Sequence, residues 1–277
     1  MCRHLAYLGP PVPLGALVFD PPHSLARQSW APRDMRGGGT VNADGFGVGW
    51  YGAAAEPVRY RRADPIWTDL TLPALAASTV SGAVLAAVRS ATVGMPVVET
   101  AAAPFAEGPW LFSLNGLIRG WPDSVAELAG RLPTRDLLTL DAPTDAALLW
   151  ALVRHRLRAG AAAPEAVAET VREVAAAAPG SRLNLLLTDG HLLVATAAGH
   201  ALSARATEES ALLCSEPLDD EPGWRPVPDG TLVLATAGLL ELRPIEGAGA
   251  PGRGRLERIE DRHQPLRRDG GSTGPAP

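Results

Sequence analysis

Apolar residues in the first half of the chain follow patterns typical of β-strands. Residues 2–8 are predicted to form a short strand, and a proline-rich loop is predicted to follow it. Within 46–50, bulky apolar side chains share one face and glycines occupy the other, where another layer could approach closely. Two further runs, 81–90 and 110–114, are predicted to form buried strands.

The middle of the chain has helical spacing instead. Apolar residues within 125–132 recur at helical intervals after a predicted cap at Asp123 or Ser124. Thr144 is predicted to cap the next helix, because a hydroxyl side chain there precedes a run of apolar residues at helical spacing. Pro164 is predicted to lie in the first turn of another helix, where proline is well tolerated.

Strands return towards the C-terminal end. The segment 183–196 is predicted to form a hairpin that turns at Asp189 and Gly190, and two more strands are predicted within 231–244. The order of strands, helices and strands predicts one layered domain rather than a series of βαβ units. The segment 246–277 is rich in Gly, Pro and Arg without periodicity, which predicts a disordered tail.

Composition excludes several classes of function. The net charge of the 277 residues is −5, with both signs mixed along the chain, so neither a nucleic-acid nor a membrane partner is expected. The sequence contains no lysine, which excludes a P-loop lysine, a Schiff-base lysine and a Ser-Lys pair. Two cysteines and no leader or membrane-length apolar segment predict a cytoplasmic protein without a disulfide framework. The six histidines lack metal-site spacing, and no metal is expected.

Cys2 is the strongest candidate for chemistry. If Met1 is removed, the thiol lies on the same residue as a free α-amine, whose reference pKa is about 7.7–8.0. Such an amine can take the thiol proton directly or through water, so that the nucleophile carries its own base. The alternative is an ordinary buried cysteine close to the chain terminus.

Four other positions have a functional and a structural interpretation. Arg89 follows an apolar strand and could hold a substrate carboxylate by two parallel hydrogen bonds, or it could form a structural ion pair. The pair Asn115-Gly116 could be a hairpin turn or an oxyanion hole. Asp145 begins a predicted helix, where a carboxylate usually complements the helix dipole but could also bind a substrate ammonium.

Taken in chain order, these motifs resemble class II glutamine amidotransferase domains over roughly residues 2–245. The resemblance rests on Cys2 after Met1, Asn42-Ala43-Asp44-Gly45-Phe46-Gly47-Val48-Gly49-Trp50-Tyr51, Arg89-Ser90-Ala91-Thr92, Asn115-Gly116 and Thr144-Asp145. It implies an α+β fold: the four-layer αββα sandwich of N-terminal-nucleophile hydrolases, with two antiparallel sheets between helices.

The resemblance also implies roles for individual residues. Cys2 corresponds to the nucleophile, and Asn115 and Gly116 correspond to the oxyanion hole. Substrate binding is implied for Arg89, Thr92 and Asp145, with Arg89 on the α-carboxylate and Asp145 on the α-ammonium of a γ-glutamyl group. The expected ligand is therefore a small γ-glutamyl compound, and no cofactor is expected. The sequence does not indicate an oligomeric state.

The opening Cys2-Arg3-His4-Leu5-Ala6-Tyr7 and the run 20–25 are similar to one group of this family, which hydrolyses γ-glutamyl-hercynylcysteine sulfoxide in ergothioneine biosynthesis. The similarity implies an amidohydrolase that forms a Cys2 thioester and releases glutamate and hercynylcysteine sulfoxide. Because only the predicted tail follows the domain, water is the expected acceptor. Two alternatives stay open: an amidotransferase or glutathione-hydrolase subunit that needs a separate partner chain, and a catalytically silent binding module.

The sequence also departs from the common amidotransferase pattern. Arg3 replaces the glycine that is usual after the nucleophile, and Val93 and Leu114 stand where histidine is often found. The run 101–104 reads Ala-Ala-Ala-Pro in place of Asn-Ala-His-Pro. These differences argue against glutamine as the substrate and against coupling to ammonia transfer.

Overall fold

The computed structural model describes residues 2–34 and 41–246, in which two antiparallel sheets lie face to face. The strands are β1 (Arg3–Pro13), β2 (Phe46–Trp50), β3 (Val58–Arg62), β4 (Val80–Val88), β5 (Phe105–Glu107), β6 (Trp110–Leu117), β7 (Arg182–Thr188), β8 (Leu193–Ala197), β9 (Ser203–Ala206), β10 (Ala211–Cys214), β11 (Arg225–Pro226), β12 (Thr231–Thr236) and β13 (Leu239–Pro244). One sheet has seven strands in the order β11-β9-β10-β1-β4-β2-β3, and the other has six in the order β13-β12-β8-β7-β6-β5.

Helices cover the outer face of each sheet. The α-helices are α1 (Gly15–Val18), α2 (Leu25–Gln28), α3 (Leu72–Ser78), α4 (Ala126–Ala129), α5 (Thr134–Leu138), α6 (Asp145–Arg158) and α7 (Ala163–Ala177), and 3₁₀ helices lie at Ile66–Thr68, Glu99–Ala101 and Asp123–Val125. None of these helices is long and apolar enough to cross a membrane.

Three apolar clusters hold the layers together. Leu5 of β1 packs with α1, α2 and α3 on the outer face of the seven-stranded sheet. Ala6, the next residue, packs with Leu186 between the two sheets, as strand alternation requires. Leu114 packs with α6 and α7 on the outer face of the six-stranded sheet. The α+β expectation of an αββα sandwich is therefore confirmed.

β1 is longer than the sequence indicated. It pairs with β4 on one side and β10 on the other, and it continues to Pro13 instead of ending near residue 8. The predicted proline-rich loop was wrong at its start. The chain stays paired with β4 as far as Pro13, and the pairing passes through a register shift between Leu8 and Val12. Prolines cannot donate to a ladder, and such an irregularity accommodates them.

The glycines of β2 let the second sheet approach, as predicted. A Cβ atom on Gly47 would overlap the carbonyl oxygen of Ala103. A Cβ atom on Gly49 would lie 2.8 Å from Cδ1 of Leu111 on β6. The close contact between the sheets therefore requires the absence of side chains at these positions.

The helix predictions were partly correct. The hydroxyl of Thr144 accepts a hydrogen bond from the N–H of Ala147 at 3.2 Å and caps α6, and Pro164 lies in the first turn of α7. The predicted helix over 125–132 reduces to α4 and the preceding 3₁₀ turn. The predicted cap at Asp123 or Ser124 was wrong: the N-cap positions of the two short helices are Pro122 and Val125, neither with a side-chain cap hydrogen bond, and the Ser124 hydroxyl donates to the carbonyl of Arg119.

The predicted hairpin is present as β7 and β8, and the last two predicted strands are β12 and β13. The Asp189 side chain accepts from the N–H groups of His191 and Leu192, which forms the turn. The predicted tail lies outside the described residues except for Glu246, so its boundary at residue 246 stays a prediction.

Candidate active site

Five of the six predicted site residues line one pocket. They are Cys2, Arg89, Thr92, Gly116 and Asp145. The pairing of β1 with β4 places Cys2 beside the end of β4, and β6 and the start of α6 supply the opposite wall. The pocket therefore lies where strands from both sheets end.

Cys2 is partly exposed and is a free thiol. Its Sγ lies 3.7 Å from the carbonyl oxygen of Ser90, to which the thiol donates a weak hydrogen bond. Arg3, the next residue, pairs with Val88 of β4, which fixes the position of Cys2 on the sheet. The sulfur is thus accessible from the pocket and is held by a rigid strand.

Arg89 is buried and is held by backbone carbonyls. Its Nη1 donates to the carbonyl oxygens of Pro96 at 3.0 Å and Asp44 at 3.3 Å. Among the described residues, no carboxylate lies within 4.0 Å of this guanidinium, so the structural ion-pair alternative was wrong. A buried guanidinium whose charge is not neutralised is well suited to bind a carboxylate.

Asp44 holds the turn that follows Arg89. Its carboxylate accepts a hydrogen bond from the N–H of Ala91 at 2.8 Å, and its own N–H donates to the carbonyl of Arg89 at 2.9 Å. Thr92 follows this turn, is exposed and lines the pocket. Asp44 belongs to the run 42–51 on which the family resemblance rests, and its two hydrogen bonds connect that run to the turn after Arg89.

Asp145 is buried at the start of α6. Its two carboxylate oxygens accept from the N–H groups of Ile118 at 3.0 Å and Ala146 at 2.8 Å. Burial raises the pKa of Asp145 above its usual value, whereas these hydrogen bonds and the charge of Arg89 act in the opposite direction. A carboxylate and a guanidinium thus line the same pocket, as binding of an α-amino acid group requires.

Asn115 and Gly116 lie inside β6, where they pair with Asn184 and Leu183 of β7. The hairpin-turn interpretation was therefore wrong: the strand continues because β7 supplies a partner along its length. Gly116 lines the pocket, whereas Asn115, on the opposite face of the strand, does not.

The Asn115 amide is buried next to Ser215. Its Nδ2 lies 3.1 Å from the Ser215 Oγ, which also accepts from the N–H of His4 at 3.0 Å. The Asn115 Oδ1 has no hydrogen-bond partner among the described residues. Of the six predicted site residues, Asn115 is therefore the one that the structure does not bring into the pocket.

The fold and pocket can be compared with known proteins. No family model matches the chain. The γ-glutamyl-hercynylcysteine sulfoxide hydrolase of Mycolicibacterium smegmatis is 41% identical over 234 residues, which cover 84% of this chain and 95% of that protein. This chain belongs to the γ-glutamyl-hercynylcysteine sulfoxide hydrolase family. The Mycobacterium tuberculosis hydrolase of the same name is 40% identical over 252 residues, 91% of this chain and 100% of that protein.

The same architecture occurs in a solved structure. A class-II glutamine aminotransferase domain protein from Silicibacter pomeroyi superimposes with a TM-score of 0.63 at 24% identity, covering 88% of this chain and 98% of that one. This likeness shows the shared fold alone. It confirms the expectation, drawn from the order of motifs, that the hydrolase family has the fold of class II amidotransferase domains.

Arg3, the residue after Cys2, forms a buried ion pair in this member of the hydrolase family. Arg3 points away from the pocket, and its Nε lies 2.9 Å from Oε1 of Glu216, with both side chains buried. Its Nη1 also donates to the carbonyl of Cys2 at 3.4 Å. Sequence reasoning missed this pair. A buried arginine signals a carboxylate partner, but nothing local selects one 213 residues away.

His4, two residues after Cys2, is buried and neutral in this member of the hydrolase family. The ring Nδ1 of His4 lies 3.1 Å from the Ser113 Oγ on β6, across the space between the sheets. Burial lowers the pKa of His4 to about 3, and the charges of His200 and Arg3 act in the same direction. His4 is therefore uncharged near neutral pH and supplies no positive charge to the thiol.

Proposed function

We propose that this protein hydrolyses the γ-glutamyl amide of γ-glutamyl-hercynylcysteine sulfoxide, in ergothioneine biosynthesis. The products are glutamate and hercynylcysteine sulfoxide. Two hydrolases of that name share about 40% of their residues with the chain over nearly their whole length. The observation that carries the mechanism is the single pocket that holds the Cys2 thiol together with the opposite charges of Arg89 and Asp145.

The substrate binds by its glutamyl end. The Arg89 guanidinium takes the α-carboxylate, the Asp145 carboxylate takes the α-ammonium, and Thr92 contributes at the same end of the pocket. With both charges held, the γ-carbonyl faces Cys2. An amide that lacks either charge would leave one buried ion without a partner, and this loss gives selectivity for γ-glutamyl groups.

Cys2 acts as the nucleophile once Met1 has been removed. Its α-amine takes the thiol proton, and the thiolate attacks the γ-carbonyl carbon. The C–N bond then breaks, and the protonated α-amine gives its proton to the leaving amine. Water hydrolyses the resulting thioester, which releases glutamate and restores the thiol. The reaction needs no metal or cofactor, and a free thiol is consistent with a cytoplasmic location.

The developing oxyanion is stabilised by the Gly116 N–H and by the Asn115 amide, which does not line the pocket but faces the space between the sheets, the side on which Cys2 also lies by strand alternation. For this role the amide adopts the reverse orientation, in which the Ser215 hydroxyl donates to Oδ1 and Nδ2 is free. The reverse orientation gives the orphaned Asn115 Oδ1 a donor and uses the Ser215 hydroxyl proton. Ser215 is thus a positioning residue for the oxyanion hole.

Replacing Ser215 by alanine should lower kcat by roughly tenfold and leave KM unchanged, because one orienting hydrogen bond is lost. Ser113→Ala is the matched control, since Ser113 is equally buried but its hydroxyl lies against the His4 ring and does not contact the Asn115 amide. Steady-state kinetics on both variants, with thermal unfolding as a check of folding, would test the role. Equal losses of kcat in the two variants would contradict it.

The proposed function is tested by glutamate release from the purified protein alone. We expect release from γ-glutamyl-hercynylcysteine sulfoxide to be faster than release from glutathione or glutamine. Preference for glutathione or glutamine would reject this substrate and keep the mechanism. Activity that appears only after a second protein is added would favour a subunit. No release, with Met1 still present by mass spectrometry, would favour a silent binding module.

A further inference from the structure

Arg182 is a second cation that faces the space between the two sheets. It begins β7 and pairs with Leu117, directly after Gly116, and its carbonyl approaches the Gly116 Cα so closely that a Cβ atom there would overlap it. Leu183 packs on the helix side of the sheet. By strand alternation, Arg182 therefore faces the space between the sheets, the side on which Cys2 also lies.

The charge of Arg182 is not neutralised within the described part of the chain. Its guanidinium forms no ion pair there, and its Nε is buried without a hydrogen-bond partner. Burial lowers the pKa of Arg182, the neighbouring Arg119 lowers it further, and the Cys2 thiolate raises it. Because no carboxylate of the described residues pairs with it, the guanidinium is available to an anion in the space between the sheets.

The proposed substrate carries a carboxylate close to the scissile amide, on its leaving side. In a γ-glutamyl-cysteine derivative, the scissile nitrogen is the α-nitrogen of the cysteine, and the next carbon bears a carboxylate. When the γ-carbonyl lies at Cys2, this carboxylate lies a few bonds away, on the side opposite the glutamyl α-carbon. Arg89 and Asp145 are occupied by the glutamyl zwitterion, so the leaving-side carboxylate requires a different cation.

We propose that Arg182 binds the carboxylate on the leaving side of the scissile amide and so selects γ-glutamyl amino acids over γ-glutamyl amines and glutamine. This inference rests on the proposed hydrolysis and deepens it. It gives a reason to expect weak activity on glutamine that is separate from the missing histidines of the amidotransferase pattern. Arg182 is a specificity-determining residue here, because it contacts the part of the substrate that differs between these classes.

The test compares two substrates that differ in one group. One is γ-glutamyl-hercynylcysteine sulfoxide, and the other is its decarboxylated counterpart, in which hydrogen replaces the leaving-side carboxylate. Arg182→Gln should lower kcat/KM for the first by roughly 10- to 100-fold, as expected for a lost charge-assisted hydrogen bond. It should leave the second unchanged. Arg182→Lys should recover part of the loss. Arg119→Gln, whose wild-type Nε donates to the Gly180 carbonyl, is the control for general loss of positive charge.

A binding measurement separates this inference from the proposed function. Calorimetry on the Cys2→Ala protein, with and without Arg182→Gln, reports the affinity for both compounds in the absence of turnover. If Arg182→Gln raises the Kd for the carboxylated compound alone, the role of Arg182 is supported. Equal losses for both compounds, or no loss for either, would overturn it. Absence of glutamate release by the wild-type protein would instead overturn the hydrolase proposal.

Discussion

Cys2→Ala is expected to lower glutamate release by about 10⁴-fold or more, because removal of a covalent nucleophile leaves only binding and oxyanion stabilisation. The fold should be preserved, since the only hydrogen bond that the sulfur makes among the described residues is the weak one to the Ser90 carbonyl. Substrate affinity should also persist, since Arg89 and Asp145 are unchanged. Steady-state kinetics and calorimetry on the purified variant would measure both effects.

Cys214→Ala is the matched control for loss of a thiol. Cys214 is fully buried in β10, and burial raises the pKa of its thiol. This variant should keep its activity provided that it folds. A form with extra residues before Cys2 retains the thiol but lacks the free α-amine, so it should be inactive until a protease removes the extension. Full activity of the extended form would show that the α-amine is not the base.

Asp145→Asn is expected to lower kcat/KM by roughly 100- to 1,000-fold, because a buried ionic partner of the substrate ammonium is removed. The asparagine oxygen can still accept one of the two backbone hydrogen bonds at the start of α6. The control substrate is the glutaryl analogue of the same amide, which differs only in lacking the α-ammonium. The variant should process this analogue as well as the wild-type protein does, and a loss of the same size on both substrates would contradict the assigned contact.

The pH dependence of binding gives an independent test of Asp145. Only the ionised carboxylate attracts the substrate ammonium, and burial raises the pKa of Asp145. Affinity of the Cys2→Ala protein for substrate should therefore fall with decreasing pH, beginning above the usual titration range of aspartate. The Cys2→Ala, Asp145→Asn double variant should bind weakly without this fall. An identical pH profile in both proteins would assign the titration to another group.

Local patterns in the sequence predicted several structural elements of this protein. The cap at Thr144, the glycine face of β2 and the β7–β8 hairpin depend on residues close together in the chain, so their patterns could be interpreted without the fold. The order of motifs was enough to predict the αββα architecture. It also predicted the roles of six site residues, five of which the structure gathers in one pocket.

Features that depend on contacts between residues far apart in the sequence could be seen only in the tertiary structure. Asn115-Gly116 is a turn signal by itself, but it lies in a strand because β7, almost 70 residues later, pairs with it. The ion pair of Arg3 with Glu216 likewise arises only because β1 pairs with β10, and Arg182 faces the space between the sheets only because β7 pairs with β6. The sequence by itself thus indicated the candidate nucleophile, Cys2, and predicted the order of elements. The folded chain decided which charged side chains line the same pocket as Cys2, because electrostatic contacts depend on distance in space.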